Sequence, residues 1–405
     1  MTDSRLSLSP GSTKREDATF TILLMISLSH FLNDTTQALL VPSYPLFKDG
    51  FMLNFTQIGL ITLAYQLTAS LLQPLIGIYT DRHPMPYSLA VGMAFTLVGL
   101  VTISQAPTYG VLIIGAMLLG TGSSVFHPES SRIARMASGG RFGLAQSIFQ
   151  VGGNAGSACG PLLAAAVIVP HGQSSMGWFA VLPLTGIVCL FFVGRWAKGQ
   201  MRRNVNKPLS SREIRFPRKV VVGTFLVLLI LVFSKYFYTA SISSYFIFYL
   251  TDKFDISVQD AQYRLFAFLA AMAAGTLAGG PIGDRIGRKY VIWVSILGVA
   301  PFTLALPYLN LFWSTVFVVI IGLVLASAFS AIVVFAQEML PGRVGLVAGL
   351  FFGLSFGMGG LGAGVLGRLA DLYGIDFVYH ICAFLPLLGC TAVFLPNVKE
   401  KRSGA

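Results

Sequence analysis

Apolar residues run through this chain in long blocks, broken by short polar turns that carry most of its charge. A helix needs roughly 20 mostly apolar residues to cross the hydrocarbon core of a bilayer. Read at that length, the pattern predicts twelve transmembrane helices, over 19–46, 54–79, 87–105, 109–136, 142–168, 177–196, 219–249, 258–280, 288–308, 311–338, 343–370 and 376–395. Residues 1–18 are polar and mixed in charge, without the charged start, apolar stretch and cleavage site of a secretion signal, so the first span is expected to stay in the mature protein. The fold class expected is an all-α membrane protein.

Composition agrees. Of the 405 residues 55% are apolar and only 11% charged, where a soluble surface carries roughly a quarter to a third. Forty-three glycines suit helices packed closely in lipid. Cys159, Cys189, Cys382 and Cys390 lie in apolar stretches without Cys/His spacing, which argues against disulfides and predicts no metal site.

The net charge of +12 raises nucleic acid as a partner, and its placement dismisses it. Twenty-three of the 28 lysines and arginines fall in the two tails, the loop after span six and the turns on the same side of the predicted spans. By the positive-inside rule both tails and the central loop are cytoplasmic, in a multi-pass protein of the cell inner membrane whose basic loops face anionic lipid. The organisation expected is an N-tail (1–18), a six-helix bundle (19–196), a central loop (197–218), a second six-helix bundle (219–395) and a C-tail (396–405).

The two bundles repeat. Gly77-Ile-Tyr-Thr-Asp81-Arg82 after span two matches Gly280-Pro-Ile-Gly283-Asp284-Arg285 after span eight at an offset of 203. Gly140-Arg141-Phe-Gly143-Leu144 matches Gly342-Arg343-Val-Gly345-Leu346 at an offset of 202. A duplicated unit with parallel halves places a transport site near the midplane between them.

On these residues the sequence resembles the major facilitator superfamily. Gly280 to Lys289 is similar to that family's signature loop, G-x-x-x-D-R-x-G-R-K/R; the first copy, Gly77 to Pro86, keeps Gly77, Asp81 and Arg82 and replaces the rest with a proline-rich stretch. Gly156-Ser-Ala-Cys-Gly160-Pro161 is similar to an element of the family's proton-coupled drug antiporters, without their trailing glycines. His30 to Asp34, Gly120 to Ser131, Phe233 to Tyr238 and Gly353 to Gly364 resemble bacterial drug-resistance exporters of the superfamily, over approximately residues 20–395. The resemblance implies two pseudo-symmetric six-helix bundles, a monomer driven by the proton gradient with no other cofactor, and a small phosphonate anion such as fosmidomycin as one cargo. It also implies a charge network closing the cytoplasmic side through Asp81, Arg82, Asp284, Arg285, Arg288, Glu338 and Arg343.

Ionisable and amide side chains inside the spans are costly, and mark function by default. His30, Asn33, Asp34 and Gln37 stand at i, i+3, i+4 and i+7, on one stripe of span one. Gln66 of span two, Gln150 and Asn154 of span five, and Lys235 and Tyr238 of span seven complete the expected substrate site. Interhelical glue is the competing reading for the glutamines. Asp34 and Lys235 occupy nearly equivalent positions in the two repeats, 201 residues apart, and so are expected to face each other across the cavity, as a coupling pair or as a structural ion pair. Asp34, His127 and Glu129 are the expected proton carriers. Glu129 lies about 160° round the helix from His127 and three residues before Arg132, so a structural or gating role competes there.

The reading is alternating-access export of a small anion in exchange for protons. Two alternatives stay open, proton-driven transport of an endogenous organic anion in either direction, and an uncoupled channel or sensor on the same fold. An enzyme is not expected, since the chain offers no nucleophile–base arrangement, metal spacing or phosphate loop.

Overall fold

The computed structural model describes residues 19–53, 55–205 and 216–397, and among these the chain is helical, without a strand. The expected N-tail, residues 398–405 of the C-tail and residues 206–215 of the central loop lie outside the described residues; the start of the expected loop is helical, continuing the sixth span to Val205. The spans are α1 (Phe20–Ala38), α2 (Phe55–Arg82), α3 (Ser88–Ser104), α4 (Tyr109–Ala137), α5 (Phe142–Leu163), α6 (Val181–Val205), α7 (Arg218–Phe254), α8 (Val258–Ile286), α9 (Arg288–Tyr308), α10 (Leu311–Met339), α11 (Val344–Tyr373) and α12 (Ile375–Phe394). Nine helices of the described residues are long and apolar enough to cross a membrane by hydropathy alone. The other three have physical reasons to fall short: α3 is apolar but only 17 residues long, whereas buried polar residues interrupt α1 and α5.

Several ends are set by the sequence locally. Thr108, Ser257 and Asn310 cap α4, α8 and α10, each side-chain oxygen accepting a backbone N–H of the first turn. Gly140 and Gly342, at equivalent places in the repeat, take positive φ values of 87° and 88° and turn the chain into α5 and α11. The first predicted span proves shorter than expected. α1 stops at Ala38, and the chain re-forms as a turn over Val41–Ser43 and a short helix over Tyr44–Gly50, each opening on a proline that cannot continue the preceding helix.

Packing repeats as the sequence does. α1 lies on α5 as α7 lies on α11, α2 on α4 as α8 on α10, and α3 on α6 as α9 on α12. The halves meet through two equivalent crossings, α2 on α11 and α5 on α8. At these crossings Gly77 abuts the Gly345 carbonyl and Gly280 the Gly143 carbonyl, while Gly349 and Gly353 lie against the carbonyls of Gln73 and Ser70. These approaches gather toward the signature-loop end of the bundle. Further along α11, a Cβ added at Gly357, Gly359, Gly360 or Gly364 would meet nothing within 4 Å. The halves are therefore sealed at the signature-loop end and splayed at the other.

Close approach and open space predict different tolerance. A Cβ at Gly275 of α8 would fall on the Leu323 carbonyl of α10. Gly275→Val should cost about 1–3 kcal/mol, the usual penalty of overpacking. Gly360→Val should leave the midpoint of thermal unfolding in detergent unchanged. Equal midpoints for the two variants would contradict this packing.

Candidate functional site

The site is built first by glycine. Gly152, Gly156 and Gly160 stand four residues apart on α5, so they form one row, and they abut the carbonyls of Ser27 and Phe31 and the Ala38 side chain on α1. With no side chains in the way, the two backbones lie together, and a Cβ added at Gly153 would collide with the His30 ring and lie 2.8 Å from the Asp34 carboxylate. A residue larger than glycine at 153 would displace the polar stripe of α1.

That stripe meets α4 at His127. His30 Nε2 lies 3.3 Å from Asp34 Oδ2, His127 Nε2 3.9 Å from Asp34 Oδ1, and the two Nε2 atoms 3.3 Å from each other. The other nitrogens identify the tautomers. His30 Nδ1 is 2.8 Å from the Phe149 carbonyl and His127 Nδ1 is 2.9 Å from the Ser123 carbonyl, and a carbonyl can only accept. Both Nδ1 atoms are thus assigned the hydrogen, which leaves both neutral Nε2 atoms as lone pairs aimed at a carboxylate. Three acceptors converge on one point, an arrangement that is electrostatically stable only when a positive charge is held among them. Phe149 stacks on His30 at 4.1 Å, and Phe352 and Phe356 of α11 each sit 5.1 Å from the His127 ring, so the cluster is walled by aromatics. Asp34 is its most accessible member, 13% exposed against 3% and 1% for the imidazoles.

Asn33 donates to Asp34 Oδ1 (3.0 Å) and accepts from Thr96 (3.0 Å), which fixes the carboxylate from behind. Gln37 accepts from the Tyr65 hydroxyl, and Asn154 donates across the halves to Thr276. Among the described residues, the buried Oε1 atoms of Gln66 and Gln150 have no hydrogen-bond partner. Buried amide oxygens left unpaired are costly.

Lys235 is buried and, among the described residues, makes no ion pair or hydrogen bond; its ammonium lies 5.3 Å from the ring centres of Tyr236 and Phe329. It does not pair with Asp34, which takes its partners from its own half. Phe329 packs on Phe352 at 5.1 Å and Phe352 on His127, so two phenyl rings stand between the ammonium and the cluster. Tyr238 turns away from this region into the core of the second half, near Cys382, Tyr249 and Tyr379, its buried hydroxyl without a hydrogen-bond partner among the described residues.

The sealed end is closed by two reciprocal latches. The Asp81 carboxylate accepts the backbone N–H groups of Gly345 (3.0 Å) and Leu346 (2.8 Å), at the start of α11. Asp284 accepts those of Gly143 (2.9 Å) and Leu144 (3.0 Å), at the start of α5. Each carboxylate satisfies orphan donors and faces the positive end of a helix from the opposite half. Arg132 of α4 holds Asp81 at 2.6 Å and Glu129 at 3.3 Å, and Ser88 donates to Glu129. In the second half Arg288 holds Asp284 (3.1 Å) and Glu338 (3.0 Å). Glu129 thus joins the latch and not the imidazole cluster. Arg82, Arg285 and Arg343 are exposed and enter no ion pair among the described residues.

Comparison with known proteins agrees with this architecture. A family model described as Major Facilitator Superfamily matches residues 26–249 and 227–405. The chain belongs to the major facilitator superfamily. It is 60% identical over 391 residues to the fosmidomycin resistance protein of Escherichia coli, covering 96% of each chain, and 38% identical over 396 residues to YfnC of Bacillus subtilis, an uncharacterized MFS-type transporter, covering 97% of this chain and 96% of that one. In fold it is similar to the transporter FucP in its outward conformation, with a TM-score of 0.74 at 14% identity over 94% of this chain and 99% of the other. It is a membrane transporter of the superfamily, with the two six-helix bundles that the repeat predicts.

Several contributors escape sequence reading. Gln337 donates to Ser131 (3.0 Å) and accepts from Arg135 (3.2 Å), tying α10 to α4 below the cluster. Phe329, Phe352 and Phe356 carry no signal that separates them from the chain's other phenylalanines. Arg132, by contrast, is foreshadowed by the missing arginine of the first signature copy, where Met85 stands in place of the second copy's Arg288.

Two outcomes follow. Replacing both latch carboxylates (Asp81→Asn with Asp284→Asn) should loosen the seal by about 1–3 kcal/mol per latch, read as a wider distance distribution between spin labels on the ends of α2 and α11. Tyr238→Phe should leave the transport KM within about twofold of wild type, because its hydroxyl bonds to nothing among the described residues. A large KM change would place that hydroxyl in the cargo path.

Proposed function

We propose that the protein exports small anionic drugs of the fosmidomycin type across the cell inner membrane in exchange for protons, by alternating access, with tails and latches on the cytoplasmic side. The observation that carries the coupling is the convergence of His30 Nε2, His127 Nε2 and Asp34 on one point. A proton held on one of them is donated to the others, and Asp34 is the most exposed of the three. The 60% identity to the Escherichia coli protein supports the cargo, and the positive-inside count supports the orientation.

Charge supports an anion. A buried ammonium without a carboxylate partner is costly, and the Lys235 ammonium is that group here. An anionic headgroup arriving from the cytoplasm compensates it, while the rings of Tyr236 and Phe329 flank the ammonium. Gln66 and Gln150 offer carbonyl oxygens to hydroxyl or N–H groups of the cargo. Opening of the latches admits cargo; their closure exposes it outward, where release precedes proton entry at Asp34. Moving one charge through the potential is worth about 2.3 kcal/mol per 100 mV, and an anion leaving and a proton entering both gain from an inside-negative potential.

The test uses inverted vesicles energised to acid inside and scored for fosmidomycin uptake. Wild type should take up drug in proportion to the gradient. Asp34→Asn should lose more than about 90% of gradient-driven uptake, and Lys235→Ala should raise KM at least about tenfold, equivalent to 1.4 kcal/mol. Wild-type uptake indifferent to the gradient would refute coupling, and an unaltered KM in Lys235→Ala would refute the anion site.

A further inference from the structure

Two imidazoles and a carboxylate that all present lone pairs form a donor set with a second chemistry. The His30 and His127 nitrogens and one Asp34 oxygen lie within 4.8 Å of one another, the one group of three potential metal donors of this kind among the described residues. A zinc ion bound tetrahedrally at about 2.0–2.1 Å spaces its donors about 3.3 Å apart. Nε2 to Nε2 is 3.3 Å, His30 Nε2 to Asp34 Oδ2 is 3.3 Å, and His127 Nε2 to Asp34 Oδ1 is 3.9 Å. The two edges at His30 Nε2 already fit, through Oδ2; His127 is nearer the other oxygen, so a turn of the carboxylate is needed to bring one oxygen to both imidazoles.

The surroundings fit as well as the donors. Metal-ligating histidines typically donate the other ring N–H to a carbonyl or carboxylate, which fixes tautomer and orientation. His30 and His127 do so to Phe149 O and Ser123 O. Asn33 holds the carboxylate from the side, as a second layer of partners does around a bound ion. Hard cations such as magnesium or calcium require several oxygens, and this point offers one carboxylate and two nitrogens. Asp34, the most exposed of the three donors, offers the point of access.

We infer that His30, Asp34 and His127 bind a divalent transition-metal ion of the zinc type, and that the bound ion arrests transport by filling the place of the coupling cation. The binding rests on donor geometry, and the arrest rests on the proton coupling proposed above. Sequence spacing predicts no such site, because the two histidines lie 97 residues apart and only the fold brings them together.

The experiment titrates zinc chloride into the full-length protein in detergent, without a gradient, followed by calorimetry and by X-ray absorption at the zinc edge. Wild type should bind one zinc ion at this site with two imidazole nitrogens and carboxylate oxygen in its first coordination sphere, unaffected by a hundredfold excess of magnesium. His127→Ala and Asp34→Asn should each weaken binding by more than about tenfold. His380→Ala, which breaks the exposed His380–Asp376 pair, should not change it. Should a variant fail to fold, the absorption spectrum of the wild-type protein still decides. Sulfur ligation, oxygen-only ligation or affinity unchanged in His127→Ala would overturn the site. Zinc bound at the triad with transport undiminished would overturn the arrest. Absence of zinc binding beside intact gradient-driven drug uptake would defeat this inference and leave the exporter reading standing.

Discussion

The contact between the Asp34 carboxylate and the imidazoles of His30 and His127 is the constraint around which the N-terminal half is built. A charge at this depth in a lipid-embedded bundle is tolerated only when its neighbours compensate it. The neighbours here are fixed by backbone: two carbonyls orient the rings, and a row of glycines presses α5 against α1 so that the Phe149 carbonyl reaches His30. Phenylalanines from α11 close the remaining side and keep the contacts in a medium of low polarity. The second half meets a milder demand at Lys235, whose ammonium rests between ring faces.

The seal depends on the same principle at the protein's edge. Asp81 and Asp284 bind main-chain N–H groups of the opposite half, so each latch recognises a helix end and not a particular side chain. This explains how the first signature loop keeps its place in the seal after losing its Gly-Arg-Lys. The carboxylate remains, and Arg132 of α4 brings the guanidinium that Arg288 brings in the second half. The repeat is symmetric in geometry and asymmetric in the residues that realise it.

Most of the fold was legible because hydropathy and repeat offset both survive in the sequence. Where the hydropathy count fails, in α1 and α5, the failure itself points to the site, since polar residues there lower the score. The i, i+3, i+4, i+7 stripe of α1 brought His30, Asn33, Asp34 and Gln37 onto one face, and the structure keeps Asn33 and Asp34 in contact. What spacing cannot encode is partnership across elements. Repeat equivalence placed Asp34 and Lys235 at matching positions, yet symmetry relates positions and not contacts, and Phe329 and Phe352 intervene. Tyr238 and Lys235 sit close on α7, but one of them turns into the core, and a span with apolar residues all round gives no sign of which. Glu129 was readable as gating from Arg132 at i+3, and the ion pair between them accords with that reading.

The glycine row of α5 has a bearing on how such a protein changes over time. It lies wholly within one half, between α5 and α1, where it sets the spacing that brings the Phe149 carbonyl to His30. The aromatic residues beside the Lys235 ammonium, Tyr236 and Phe329, belong to α7 and α10. A substitution on α7 can therefore alter the surroundings of Lys235 while the glycine row still holds α1 against α5, whereas one at Phe329 of α10 reaches His127 through Phe352.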